Sequence, residues 1–179
     1  MSAAGAVFDQ AKLEWLSQEY LKRLDGATLV ERATPFLARI GITVTDRARA
    51  AQALQTLRER AKTLVELAAG ARFYFERPRV YESKAAQKLL TTEGGARLDR
   101  LIARLATQEP FTAEALEARY REIAAALGVK LVDLAQLTRL ALTGGTASPP
   151  LFEVMGILGR EEVLARLRTA RVAVPGRPG

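Results

Sequence analysis

Apolar residues along this chain return every three or four positions, and alternating apolar and polar runs are nowhere sustained, so the pattern predicts helices in series. Leu13, Leu16, Tyr20 and Leu24 share a face of a first helix that Asp9 caps and Gly26 ends. Thr28 with Glu31 forms a capping box for the next, which Pro35 interrupts or kinks before Gly41 closes it. Thr45-Asp46 starts a third helix through Leu54, Leu57 and Ala61, and Thr63 with Glu66 restarts the backbone just after Arg60. Phe73-Tyr74-Phe75 fits a short extended piece packed between subdomains. Ser83 reads as an N-cap. Thr92 precedes a helix bearing Leu98, Leu101, Ile102 and Leu105. Thr112 precedes another bearing Leu116, Tyr120, Ile123 and Leu127, ended by Gly128.

The stretch from Gly128 to Leu167 is the densest in signals. Leu131, Leu134, Leu137 and Ala141 recur at helical spacing, and Thr143-Gly144-Gly145 stops that helix with residues that tolerate positive φ. Ser148-Pro149-Pro150 supplies an N-cap and prolines suited to a first turn, so a new helix begins near Leu151 and another follows it. Helical periodicity lapses at Glu76-Arg77-Pro78-Arg79, the expected subdomain boundary. Trp15 and Tyr20 read as core, and Arg166, Arg168 and Arg171 as a solvated basic end of the last helix.

Charge changes the picture by pointing at a partner. The chain carries 27 Lys+Arg against 20 Asp+Glu, a formal net charge of +7, and arginine greatly outnumbers lysine. A planar guanidinium fork suits phosphates and base edges better than an ammonium does. The absence of cysteine excludes disulfides and thiolate metal sites, and the absence of histidine removes the commonest metal ligand and general base. No glycine-rich nucleotide loop or βαβ alternation is present to hold ATP. No apolar run is long enough to span a membrane, and the N-terminus lacks a signal-peptide pattern. A soluble cytoplasmic, monomeric protein that binds no metal fits these features.

Three ordered blocks carry a resemblance. Ala6-Val7-Phe8-Asp9, Lys12-Leu13, Trp15-Leu16 and Tyr20-Leu21 match one pattern. Arg60-Ala61-Lys62-Thr63-Leu64-Val65-Glu66, followed by Ala71-Arg72-Phe73-Tyr74-Phe75, matches a second. The third, from Ala135-Gln136 through Arg139, Ala141-Leu142-Thr143-Gly144 and Ser148-Pro149-Pro150-Leu151-Phe152-Glu153, is close to A-Q-P-L-R-x-A-L-T-G-x-x-x-S-P-P-L-F-E. Together they resemble the C-terminal anticodon-binding region of bacterial glutamyl-tRNA synthetase, a class I aminoacyl-tRNA synthetase. Leu137 stands where that pattern has proline, Thr138 where it has leucine, and Ser17 where it has asparagine.

The resemblance implies an all-α fold in which two small helical subdomains form the anticodon-binding helical cage. Residues 1–25 would end the stem-contacting domain, residues 26–81 and 82–172 would be the two anticodon subdomains, and residues 173–179 a disordered tail. It implies tRNA(Glu) as partner, with Arg60 reading the third anticodon base. Arg139 would face the anticodon, and Ser148, Pro149 and Leu151 would pack against its bases. Lys12, Lys22, Arg77 and Arg79 are candidates for backbone phosphates, each equally readable as a solvated surface charge. Without histidine the synthetase's H-I-G-H-type motif has no counterpart here, so ATP and magnesium would be bound by a catalytic domain that this chain lacks, and no cofactor is expected in the chain itself. The competing reading is a helical protein-interaction or regulatory paralogue that keeps the fold and has lost RNA binding.

Overall fold

A computed structural model describes residues 9–175. The described residues form ten helices and no strand, in two compact units that divide at Arg72 and Phe73. The all-helical expectation is borne out. Among the described residues no helix is long and apolar enough to cross a membrane, and no group of carboxylates is placed to hold a metal.

The first unit holds α1 (Gln10–Arg23), α2 (Gly26–Arg39), α3 (Arg47–Leu57) and most of α4 (Leu64–Phe75). Asp9 caps α1 and Asp46 caps α3, each carboxylate accepting the N–H three residues on, at 3.2 and 2.9 Å. The cap of α2 is Asp25, accepting from Thr28 N–H at 2.9 Å and from its hydroxyl at 2.8 Å, which displaces the expected Thr28–Glu31 box. Those bonds, the backbone donor first, hold the Asp25 carboxyl below its usual range. Gly26 does not end α1 but opens α2. A Cβ there would meet Ala51 Cβ and Gln55 Nε2 at 3.0 Å, so the glycine lets α2 lie close against α3.

Pro35 sits inside α2 without breaking it. Leu29, Val30, Ala33 and Leu37 of α2 are buried, as are Ala50, Ala53, Leu54 and Leu57 of α3, and these two faces form the unit's core. Thr63 and Glu66 make the expected reciprocal start of α4: Glu66 N–H donates to Thr63 Oγ1 at 3.1 Å, and Glu66 Oε2 accepts from Lys62 N–H at 2.8 Å. The apolar face of α1 departs from expectation. Trp15 is 58% exposed, Tyr20 48%, Leu16 47% and Leu13 46%, and only Leu21 of α1 is buried.

The second unit holds the end of α4, then α5 (Ser83–Leu89), α6 (Thr92–Leu105), α7 (Ala113–Leu127), α8 (Leu131–Thr143), α9 (Leu151–Leu158) and α10 (Arg160–Val172). Phe73-Tyr74-Phe75 is helical rather than extended, with the Phe73 and Tyr74 rings 4.2 Å apart. Helix α8 runs through the unit's centre, touching α5, α6, α7 and α10. Its departures from the synthetase pattern are absorbed by that packing. Leu137 is buried, and the Thr138 hydroxyl lies 2.9 Å from Tyr120 Oη inside the core. Burial pushes the Tyr120 phenol well above its usual pKa, so it stays a neutral hydrogen-bonding hydroxyl.

Two expected caps shift by one residue. Thr91, not Thr92, caps α6 by accepting from Gly94 N–H at 3.1 Å, and Glu82 precedes α5, whose first residue is Ser83. Thr112 and Gly128 bound α7 as expected. Arg166 is the largest correction: it is 2% exposed and part of the core, not the solvated end of α10. Of the expected tail, Val174 is buried and residues 176–179 lie outside the described residues, as do Ala6, Val7 and Phe8 of the first block.

Gly144 ends α8 at φ +83, where a Cβ would lie 2.8 Å from Val80 O and 3.1 Å from Pro78 Cβ. Gly128 ends α7 at φ +64 with nothing within 4 Å of its Cβ position. Gly144→Ala therefore adds a steric clash to the backbone penalty and is expected to cost about 2–4 kcal/mol, against about 1 kcal/mol for Gly128→Ala. Chemical denaturation of both variants checks this; equal losses would show that the 76–82 loop does not press on the turn.

Candidate functional site

The α8–α9 corner is built from a helix end, a glycine turn and two prolines. Thr143 folds the turn on itself, its hydroxyl donating to Arg139 O at 2.9 Å and accepting from Gly145 N–H at 3.3 Å. The 76–82 loop closes against it, with Glu82 N–H donating to Gly144 O at 2.7 Å and Thr146 Oγ1 donating to Glu82 Oε2 at 3.4 Å. Helix α9 then starts at Leu151 with Pro150 in the N-cap position and no side-chain cap.

Ser148 is therefore not a helix cap. Its hydroxyl donates to Pro149 O at 2.7 Å and accepts from Arg139 Nε at 2.8 Å. The corner thus brings Arg139 and Ser148 into direct contact and fixes the guanidinium beside the prolines. Pro149 and Leu151 are buried, so they form the corner's inner wall, and Pro150 is exposed. Phe152 sets its ring edge-on to Tyr120, 5.1 Å between centroids, and anchors the start of α9. One turn before Arg139, Gln136 has a buried Oε1 without a hydrogen-bond partner among the described residues.

Arg60 lies in the first unit, in the turn after α3, with its N–H donating to Leu57 O at 2.9 Å. That turn is steadied by Gln18 Nε2 donating to Glu59 O at 3.3 Å and by a 3.6 Å ion pair between Lys62 and Glu14. The lysine and loop candidates differ in their engagements. Lys12 is exposed, whereas Lys22 pairs with Glu19 at 3.1 Å. Arg79 is exposed on the 76–82 loop. Arg77 spends two nitrogens on the Glu162 carboxylate, both at 2.9 Å.

Glu162 belongs to a network whose charged side chains lie outside the three motif blocks. Arg166 Nε donates to Glu162 at 2.7 Å, while its Nη1 donates to Leu142 O at 2.6 Å and to Phe73 O at 2.5 Å. One buried guanidinium thus holds the last turn of α8 and the end of α4. A signal for it existed: Val163, Arg166, Leu167 and Ala170 share helical spacing, which places Arg166 on the buried face.

A family model for an anticodon binding domain matches residues 28–171, spanning both the Arg60 turn and the Arg139 corner. The chain belongs to the anticodon binding domain family. Its relatives include the glutamate–tRNA ligases of Geotalea uraniireducens (41% identical over 93% of this chain), Bradyrhizobium sp. ORS 278 (44% over 95%) and Thermus thermophilus (40% over 95%). The chain spans only 36–37% of the length of those relatives. The glutamate tRNA ligase of Elizabethkingia meningosepticum, solved in complex with its amino acid, superposes with a TM-score of 0.85 over 93% of this chain and 33% of its own, at 23% identity, which shows the shared fold. The resemblance to the anticodon-binding region of glutamyl-tRNA synthetase is borne out.

The Arg77–Glu162–Arg166 network makes a pH prediction. The hydrogen bond from Arg77, with help from Arg166, lowers the Glu162 pKa from 4.5 to about 2. A lowered folded-state pKa gives stability that is fully present above pH 4.5 and drains away as pH falls toward about 2. The stability gap between the domain and Glu162→Gln should be about 1–3 kcal/mol at neutral pH and shrink across that window. Urea unfolding at several acidic pH values reads it; a gap independent of pH would mean that the carboxylate charge carries no stability.

Proposed function

We propose that this domain reads the anticodon of tRNA(Glu) within a cytoplasmic, monomeric glutamate–tRNA ligase. Amino-acid activation with ATP and magnesium would take place in the part of such a ligase outside these 179 residues. The observation that carries the reading is the Arg139–Ser148 contact of 2.8 Å at a corner inside the matched family region. A guanidinium only donates, so Arg139, oriented by the hydroxyl, selects acceptor-bearing base edges or phosphates. Unstacked bases are held by apolar contact and fixed donors, which the exposed Pro150 and the corner's backbone offer. Pro149 and Leu151 serve from below by fixing the loop.

Arg60 is assigned the third anticodon base, cytosine in tRNA(Glu) and guanine in tRNA(Gln). Lys12, Lys22 and Arg79 are assigned to phosphates, contacts that position without specifying. Arg77 is the weakest of that set because Glu162 already occupies its fork. The protein-interaction reading draws on a different observation, the exposed face of α1 with Trp15 and Tyr20.

A tRNA titration over a range of salt separates the two readings. Anticodon recognition gives tRNA(Glu) affinity that falls steeply and linearly on a log–log salt plot, and a protein-interaction module gives no binding or a flat line. Arg60→Gln is expected to narrow the preference for tRNA(Glu) over tRNA(Gln) by about 1–3 kcal/mol, whereas Lys22→Gln weakens both about equally. A parallel loss of both tRNAs in Arg60→Gln would make Arg60 a phosphate contact.

A further inference from the structure

Between α6 and α7 lies a cleft of about 140 Å³ lined by Arg100, Arg104, Arg119, Glu122, Ile123, Ala126 and Leu127. Its electrostatics are one-sided. Arg119 is fixed by Gln108 Oε1 at 2.7 Å and by Glu122 at 2.6 Å, so Glu122, the only acid in the lining, is already neutralised. Arg100 and Arg104 are exposed and have no hydrogen-bond or ion-pair partner among the described residues. They stand four residues apart on one face of α6, a like-charge placement that costs an isolated helix a few tenths of a kcal/mol. The neighbouring arginine on that face, Arg97, is matched by Glu93, which makes the unmatched pair a local feature rather than a general property of the helix.

The apolar part of the lining is made by Ile123, Ala126 and Leu127, of which Ile123 is buried. Two guanidiniums beside such a lining suit an oxyanion joined to a less polar body, with the fork taking the oxygens and the apolar side chains taking the sugar. A cleft of about 140 Å³ has room for a phosphate group, whose oxygens suit a bidentate guanidinium fork. We propose that the α6–α7 cleft is a second RNA contact, in which Arg100 and Arg104 bind a backbone phosphodiester outside the anticodon and Arg119 forms the fixed wall. The proposal rests on the anticodon-reading function and adds a sequence-independent contact to it.

The test uses Arg100→Gln/Arg104→Gln, two exposed positions, with circular dichroism to show an unchanged fold. Affinity for tRNA(Glu) and tRNA(Gln) is measured from about 50 to about 200 mM salt. The double variant should reduce the log–log salt slope by about 1–2 and weaken both tRNAs by the same factor, leaving their ratio intact. An unchanged slope overturns the proposal, and so does a changed ratio, because the cleft would then belong to base recognition. Wild-type domain that binds neither tRNA removes the anticodon reading itself and this contact with it. A synthetic poly-glutamate peptide is the control: if it binds wild type and not the double variant, while tRNA binding is unaltered, the cleft takes acidic protein instead.

Discussion

Arg166 is the buried charge on which the second unit is built. A guanidinium taken out of water is expensive unless its donors are matched, and breaking a buried pair costs about 3–5 kcal/mol. Here the matching is done by Glu162 and by the carbonyls of Leu142 and Phe73. Those carbonyls end two helices, α8 and α4, where backbone acceptors lack intrahelical partners. The cation therefore solves its own desolvation by satisfying two helix ends. In doing so it fixes the last turn of α8, which directly follows Arg139, and through Glu162 it draws Arg77 and the 76–82 loop to the same place.

The corner follows from that anchorage. With α8 held at Leu142, the chain must turn at once, and Gly144 is the residue that can take φ +83 with Val80 and Pro78 pressed against it. The prolines then start α9 without a side-chain cap, which leaves the Ser148 hydroxyl to accept from Arg139. Under the proposed function, rigidity is what this contact contributes: a guanidinium held by a hydroxyl and a packed helix would lose less freedom on meeting RNA than a lysine on an open surface.

Much of this was legible from residue pattern because the physics is local. Asp9, Asp46 and Thr112 cap where an acceptor three residues before a free N–H must cap, and Gly128 and Gly144 stop helices at positive φ. What was misread depended on competition or on partners distant in sequence. Asp25 outcompetes Thr28 for the same helix start, which makes Gly26 the first residue of α2, at a point where α3 leaves no room for a side chain. Ser148 looks like a cap until Arg139, nine residues earlier, claims its oxygen. Arg166 carries the right spacing for the core, but its charge argues for the surface until two carbonyls and a carboxylate are brought to it. The site was legible chiefly through the synthetase-like motifs; the residues alone pointed only to helices in series and a basic surface.

The central claim is that the Arg139 corner and the Arg60 turn meet the anticodon. The most direct measurement is nitrogen-15 NMR of the arginine Nε–H signals, assigned by single Arg→Lys variants, during titration with the isolated anticodon stem-loop of tRNA(Glu). The account predicts that the Arg139 and Arg60 signals shift saturably with the stem-loop and stay in place with an acceptor-stem minihelix of equal length. Equal responses to both RNAs, or shifts confined to other arginines, would contradict it.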